Sequence, residues 1–292
     1  MNIITFDIEE WAIALARQCG TPQRYAQYEA CLHRILDSLD EHHTKGTFFC
    51  TGEMALHFPI IVKLINSRGH EIGCHSHVHS WMNKMTQEEA RYDTQNAVDA
   101  LEQCVGIKIK SYRAPAFSIG EDNVWMFDIL AGCGIERDSS VFPAPRALGG
   151  FPTFGSQTPC VVSHAGVAIK EFPIPMMSLM GRKVAYSGGG YFRLFPLCMV
   201  KQAMYKSDYN MTYFHIQDLI MDKSALKSRM EYEAYYKEPG TIKNRYVRYI
   251  KANIGKSNAM DKLLKLVDTQ DFVNMDYVDG VIDWETTAQI TL

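Results

Sequence analysis

The stretch HEIGCHSHVH, residues 70–79, holds four of the ten histidines of a 292-residue chain. Its first half reads as a short strand, arriving directly after the helical run opened by Pro59 and closed by Gly69. Its second half sets His75 and His79 just beyond the C-terminal end of that strand. A helix, then a strand, then chemistry-bearing side chains at the strand's end is the repeating unit of a parallel α/β sheet. The spacing of His75 and His79 predicts two imidazoles on one side of a helical turn, able to converge on one divalent ion. For the pair alone, solvated or core histidines are the commoner outcome. His77 and His70 read as structural.

The same unit recurs on either side. NIITFDI, GTFFCTG, IKSYRAP, IERDSSVF, KEFPI and MTYFHI read as strands. Between them, Thr21-Pro22 predicts the start of a helix that carries Tyr25, Tyr28, Leu32, Ile35 and Leu39. Thr86 and Glu89 form a capping-box pattern ahead of a helix ended by Gly106, and further helices are predicted near 122–131 and 195–205. Strand–helix repetition without hairpin signals in the first half predicts a distorted parallel (β/α) barrel with its site at the C-terminal strand ends. Asp7, His75, Arg113 and His215 fall there. Residues 145–190 read as long connections. Residues 222–292 are more polar, and no linker cuts them off, so the chain reads as a single domain, 1–292, with a C-terminal extension.

Composition bounds the partners. With 47% hydrophobic and 22% charged residues and a net charge of −3, the chain is globular and lacks the basic balance of a nucleic-acid binder. No apolar run approaches the roughly 18 residues needed to span a bilayer, and the N-terminus shows no leader. Eight cysteines stand singly, which favours free thiols in a reducing compartment and predicts a cytoplasmic location.

A hydrolytic metal site needs a carboxylate beside its histidines and an open position for water. Strand alternation puts Asp7 and Glu9 on one face, so that one acid can bind the ion while the other takes a proton. Acids after a strand also serve simply as helix N-terminal charge.

Taken in order, TFDIEEW, GTFFCTG, RGHEIGCHSHVH, SYRAPAFS, IERDSS, EFP and YFHI resemble the polysaccharide deacetylases of carbohydrate esterase family 4, the NodB-homology family. The likeness is to the branch with FDxE as first motif and a downstream GGGYFR, here Gly188 to Arg193, and it covers roughly residues 1–220. The resemblance implies that His75, His79 and Glu9 hold a divalent metal, zinc first, with cobalt, nickel or manganese as alternatives. Glu10 stands next to Glu9 as the other acid for that position. It implies Asp7 as catalytic base, Arg113 as its ion-pair partner, the Ala116 N–H as an oxyanion donor, His215 as general acid and Asp138 as the acid that orients it.

The activity expected is removal of an N-acetyl group from an amino sugar, in a glycan or in a lipid- or nucleotide-linked precursor of a surface polysaccharide. The rivals are a degenerate glycan-binding member of the same fold and a hydrolase of other non-peptide C–N bonds. The glycines of YSGGGYFR read as a turn shaping the sugar cleft. KNRYVRYIK reads as a solvated helix face, with peripheral contact to anionic lipid as the alternative.

Overall fold

Alternation sorts each core strand into two faces. In Thr5–Ile8, Phe6 and Ile8 enter one apolar cluster, while Thr5 and Asp7 turn the other way toward Arg113. In Thr47–Cys50, Phe48 and Cys50 join the same cluster and Phe49 joins a second one with Phe117, Phe142, Phe172 and Met211. The larger cluster seals helices onto the outside of the sheet. The smaller one fills its inside, which is the layering of a (β/α) barrel.

The computed structural model describes residues 1–10, 24–236 and 238–292. Its strands are β1 (Asn2–Ile3), β2 (Thr5–Ile8), β3 (Thr47–Cys50), β4 (Glu71–Cys74), β5 (Ser111–Tyr112), β6 (Arg137–Asp138), β7 (Cys160–His164), β8 (Val167–Glu171), β9 (Met176–Leu179), β10 (Arg182–Ala185), β11 (Asn210–Met211), β12 (Phe214–His215) and β13 (Ala288–Thr291). Nine of them form one sheet in the order β12-β2-β3-β4-β5-β6-β8-β7-β13. Pairing is parallel from β12 through β8, antiparallel between β8 and β7, and parallel again between β7 and β13. The sheet is strongly curved. Arg113, just past β5, reaches across the interior to Thr5 and Asp7 on β2, three strands away.

The far end of the interior is plugged by the helix Met275–Val281. Its Met275 N–H donates to Thr47 Oγ1 at 2.9 Å, and its Asp276 and Asp279 pair with Arg137 at 2.7 and 3.0 Å. Those partners sit at the N-terminal ends of β3 and β6, which leaves the C-terminal ends free for chemistry.

Several helices follow the sequence closely. Gln87–Val105 starts on the Thr86–Glu89 capping box and ends on left-handed Gly106. Tyr25–Glu41 buries Leu32, Ile35 and Leu39, whereas the expected Thr21-Pro22 start lies outside the described residues. The reading of 145–190 as connections is corrected. That region holds β7 to β10, two antiparallel hairpins that turn at Ala165-Gly166 and Met180-Gly181, all four residues at positive φ. Neither turn carries the Asn-Gly or Asp-Gly pair that flags a hairpin in sequence.

Candidate metal centre and active site

His75 follows β4 directly, and its N–H continues the ladder by donating to the Cys50 carbonyl at 2.9 Å. From there the chain does not form the expected helical turn. Ser76 and His79 both take positive φ, 66° and 59°, and the loop folds back so that His79 meets the same point as His75. Glu9, just past β2, completes the group. One ligand atom from each of Glu9, His75 and His79 lies within 4.8 Å of the others, all three residues being buried. His75 Nε2 stands 3.5 Å from Glu9 Oε2, and His79 Nε2 meets that same oxygen.

The donor set fits a divalent ion. His75 Nε2 is buried with no hydrogen-bond partner, a costly state that a cation resolves. The other nitrogen of His75 faces the Arg113 carbonyl at 2.7 Å, which fixes the tautomer and aims Nε2 inward. Two imidazoles and a carboxylate suit zinc and other late divalent metals. Burial would raise the Glu9 carboxyl, but His79 and His75 outweigh it and hold Glu9 well below the usual carboxylate range.

Glu10 turns away from that centre. Its Oε1 accepts from the Gln217 N–H at 2.9 Å, and burial together with the Glu9 charge lifts its carboxyl to about 7. His77 donates its N–H to Asp93 at 2.8 Å, and His70 lies buried against Phe48.

Asp7 belongs to a second, adjoining group. The Arg113 guanidinium donates to Asp7 Oδ1 and to Thr5 Oγ1, both at 2.7 Å, and lies 4.3 Å over the Phe49 ring. Burial opposes ionisation of Asp7, but Arg113, His75 and His215 overcome it and lower its pKa. His215 is the register partner of Asp7 across β12 and β2, and its Nε2 stands 3.7 Å from Asp7 Oδ2. Its Nδ1 faces Asp218 Oδ2 at 3.2 Å. Burial would lower His215, yet the bond to Asp218 and the charges of Glu9, Asp218 and Asp7 lift it to about 10.

Asp218 therefore takes the place expected of Asp138. Asp138 is the last residue of β6 and points to the opposite face, where it accepts from Ser140 Oγ at 2.6 Å and stands in register with Glu171. Burial lifts Asp138 to about 6, while burial and Asp138 raise Glu171. Even alternation along a two-residue strand makes this unavoidable: with Arg137 and Ser139 turned inward, Asp138 must turn out. The signal for Asp218 was an acid three residues after His215, across the first turn of the helix Ile216–Leu219.

Ala116 stands in the turn Pro115–Phe117 at φ 56°, a left-handed conformation unusual for alanine. The turn's own bonds run from the Phe117 N–H to Ala114 and from the Ser118 N–H to Pro115. The glycines 188–190 are absorbed differently from the reading of a sugar-cleft turn. A Cβ on Gly188 would fall 2.1 Å from the Tyr213 carbonyl, so this position seats the chain flush against the strand that delivers His215. A cavity of about 420 Å³ has Trp81, Ser118, Arg146 and Tyr236 in its wall, and none of Asp7, Glu9, His75, His79 or His215 lines it. Trp81 meets Tyr235 edge to face at 6.0 Å.

A curved parallel barrel that gathers three histidines and three carboxylates at its C-terminal strand ends has the architecture of a NodB-type deacetylase. Residues 4–133 match the family model described as polysaccharide deacetylase. Residues 139–279 match DUF3473, a domain of unknown function, and both segments contribute strands to the one nine-stranded sheet. A peptidoglycan-N-acetylglucosamine deacetylase of Bacillus cereus is 37% identical over 118 residues, 36% of this chain and 43% of the relative. The peptidoglycan-N-acetylmuramic acid deacetylase PdaA of Bacillus subtilis is 28% identical over 82 residues, 28% of this chain and 31% of the relative. The chain thus spans less than half the length of either. Among solved structures, a Mycobacterium smegmatis protein classed with the polysaccharide deacetylases superposes with a TM-score of 0.65 at 17% identity, over 99% of this chain and 92% of its own.

Proposed function

We propose that this protein is a metal-dependent hydrolase that removes an N-acetyl group from an amino sugar in a glycan. The observation that carries the reading is the junction of the Glu9–His75–His79 group with the Asp7–Arg113 and His215–Asp218 pairs, a complete set for amide hydrolysis. The names of the two peptidoglycan deacetylase relatives support an N-acetylated amino sugar as the substrate class.

Glu9, His75 and His79 would hold a divalent cation, which when bound would supply a nucleophile at neutral pH and Lewis-acid polarisation of the acetyl carbonyl. Asp7, kept ionised by Arg113, accepts the proton of the attacking water. The Ala116 N–H would donate to the developing oxyanion, a contribution of the kind that typically dominates acyl transfer. His215, kept protonated by Asp218, donates to the departing amine, which is a poor leaving group until it is protonated. The proton that Asp7 gains and the one that His215 loses balance over the cycle. The presence of all these groups supports a hydrolase over a degenerate binder.

Acetate release from N-acetylglucosamine oligomers by the metal-loaded protein tests the reading, with Asp7→Asn as control. Release by the wild type and none by the variant supports it. Failure of the metal-loaded wild type to release acetate from any N-acetylated saccharide counts against it.

A further inference from the structure

The helix Ile242–Asn253, which contains the KNRYVRYIK segment, sits on the molecule inside out. Its polar side chains face the protein. Arg245 Nε donates to the Lys227 carbonyl at 2.8 Å, Asn244 Nδ2 to the Pro239 carbonyl at 2.9 Å, and Asn253 Oδ1 accepts from the Ser224 N–H at 2.7 Å. Arg248 lies over the Tyr236 ring at 4.6 Å and reaches Glu238 at 3.5 Å. Its apolar side chains face solvent instead. Ile242, Tyr246, Ile250 and Ile254 recur every fourth residue with Val247 beside them, and each is between 41% and 62% exposed. No residue of this helix is buried. A merely solvated helix shows the opposite arrangement.

We infer that this face is a docking surface for an anionic lipid bilayer. Charge complementarity selects the occupant. The segment 242–253 carries no acid, and of its four cations Lys243 and Lys251 are exposed while Arg245 and Arg248 turn to the protein, in a chain whose net charge is −3. Lys243 and Lys251 are exposed on the same side as the apolar row, where their stems can lie along it while the ammonium groups meet lipid phosphates. A second copy of the chain is disfavoured by the same count, since docking this helix on itself would oppose cations with cations. Among the described residues no helix is long and apolar enough to cross a membrane, so attachment would lie in the interface plane.

The helix is also joined to the catalytic group. Arg193 donates from Nη1 to the carbonyls of Ala252 and Ile254 at 2.8 and 3.0 Å and from Nη2 to that of Lys251 at 2.8 Å, which caps the helix's C-terminal end. Its Nε pairs with Asp218 at 3.2 Å, and Asp218 holds His215. Gly255, at φ 73°, allows this approach: a Cβ there would fall 2.5 Å from the Arg193 carbonyl. One arginine thus ties the membrane-facing helix to the residue assigned as general acid, which would bring the site close to the lipid surface.

Co-sedimentation of the full chain with vesicles tests the proposal, using phosphatidylcholine alone and phosphatidylcholine mixed with phosphatidylglycerol. The wild type should sediment with the anionic vesicles and not with the zwitterionic ones. Added salt should weaken the binding. Tyr246→Glu combined with Ile250→Glu should abolish it at unchanged thermal midpoint, because both side chains are exposed. Lys243→Glu with Lys251→Glu should weaken it more than roughly tenfold, each lysine near an anionic surface being worth about a factor of five. Absence of wild-type binding, or equal binding by the variants, overturns the proposal. So does a wild-type dimer in vesicle-free solution that the Tyr246/Ile250 variant dissolves, since the face would then be occupied by a second copy.

Discussion

His75 and Asp7 are oriented by a single residue, Arg113. Its backbone carbonyl lies 2.7 Å from His75 Nδ1, and its guanidinium donates to Asp7 Oδ1 at 2.7 Å. The residues proposed as metal ligand and catalytic base are thereby set from one point, just past β5. The arrangement couples ion binding to base activation through rigid backbone, without a mobile loop in between.

Replacing this residue tests that coupling. Arg113 is fully buried, so Arg113→Gln leaves the Asp7 carboxylate without its partner and should destabilise the fold by about 3–5 kcal/mol, measured by urea unfolding. Asp7 is lowered in the folded state, so its contribution to stability is present above the usual carboxylate range and disappears as pH falls below it. The variant should lack that acid-side loss from Asp7. An Arg113→Gln protein as stable as the wild type would separate Arg113 from Asp7.

His215 and Asp218 govern the other limb. His215→Ala should lose roughly 10²–10⁴-fold in acetate release while retaining its metal. His215 is raised in the folded state, so its stabilising interaction is complete below its ordinary pKa and is lost as pH climbs toward about 10. A bound cation opposes part of this rise. Asp218→Asn should therefore move the basic limb of the pH–rate profile to lower pH, whereas Asp138→Asn should leave that limb in place. Equal shifts in the two variants would return Asp138 to the site.

Asp138 and Glu171 make a stability prediction of their own. Both carboxyls are raised by burial, and Glu171 also by Asp138, so their favourable contribution exists at low pH and is lost as pH rises through the folded values. Glu171→Gln removes one ionisable group from the pair. It should make the protein relatively more stable in alkaline than in acidic solution, compared with wild type, in thermal melts across pH. An unchanged pH dependence would show that Glu171 does not contribute in this way.

The residues that form the barrel and its metal-ligand group were legible because each stands at the end of a strand with an unmistakable period. Thr5–Ile8 and Glu71–Cys74 carry their chemistry one position beyond an apolar run, and alternation fixes the face. The loop after His75 was misread as helical, because i, i+4 spacing is shared by a helical turn and by a loop bent at two left-handed residues. Asp138 was expected beside His215, but between inward Arg137 and Ser139 it turns outward, and the sequence alone does not say which of the three leads the alternation. The hairpins of 160–185 turn on Ala-Gly and Met-Gly, which lack the usual turn signature. The inverted helix 242–253 was amphipathic in sequence, but which face it turns outward depends on Ser224, Lys227 and Glu238, residues that no local pattern connects to it.

The acids next to the metal group should divide cleanly. Asp7→Asn should retain metal and lose turnover, since a carboxamide accepts no proton. Glu9→Gln should bind metal weakly, since ligation relies on the anionic oxygen. Glu10→Gln should bind it as the wild type does, its carboxylate being engaged with Gln217. Metal analysis after dialysis distinguishes the three, and weak binding by Glu10→Gln alone would exchange the roles of the two glutamates.

The most direct measurement is calorimetric titration of chelator-stripped protein with zinc, in wild type and in His75→Ala. The account predicts one tightly bound ion per chain in the wild type and none of comparable affinity in the variant, with both proteins folded. Identical stoichiometry and affinity in the two would contradict it, because the buried nitrogen and oxygen atoms that Glu9, His75 and His79 bring together would then not be what holds the metal.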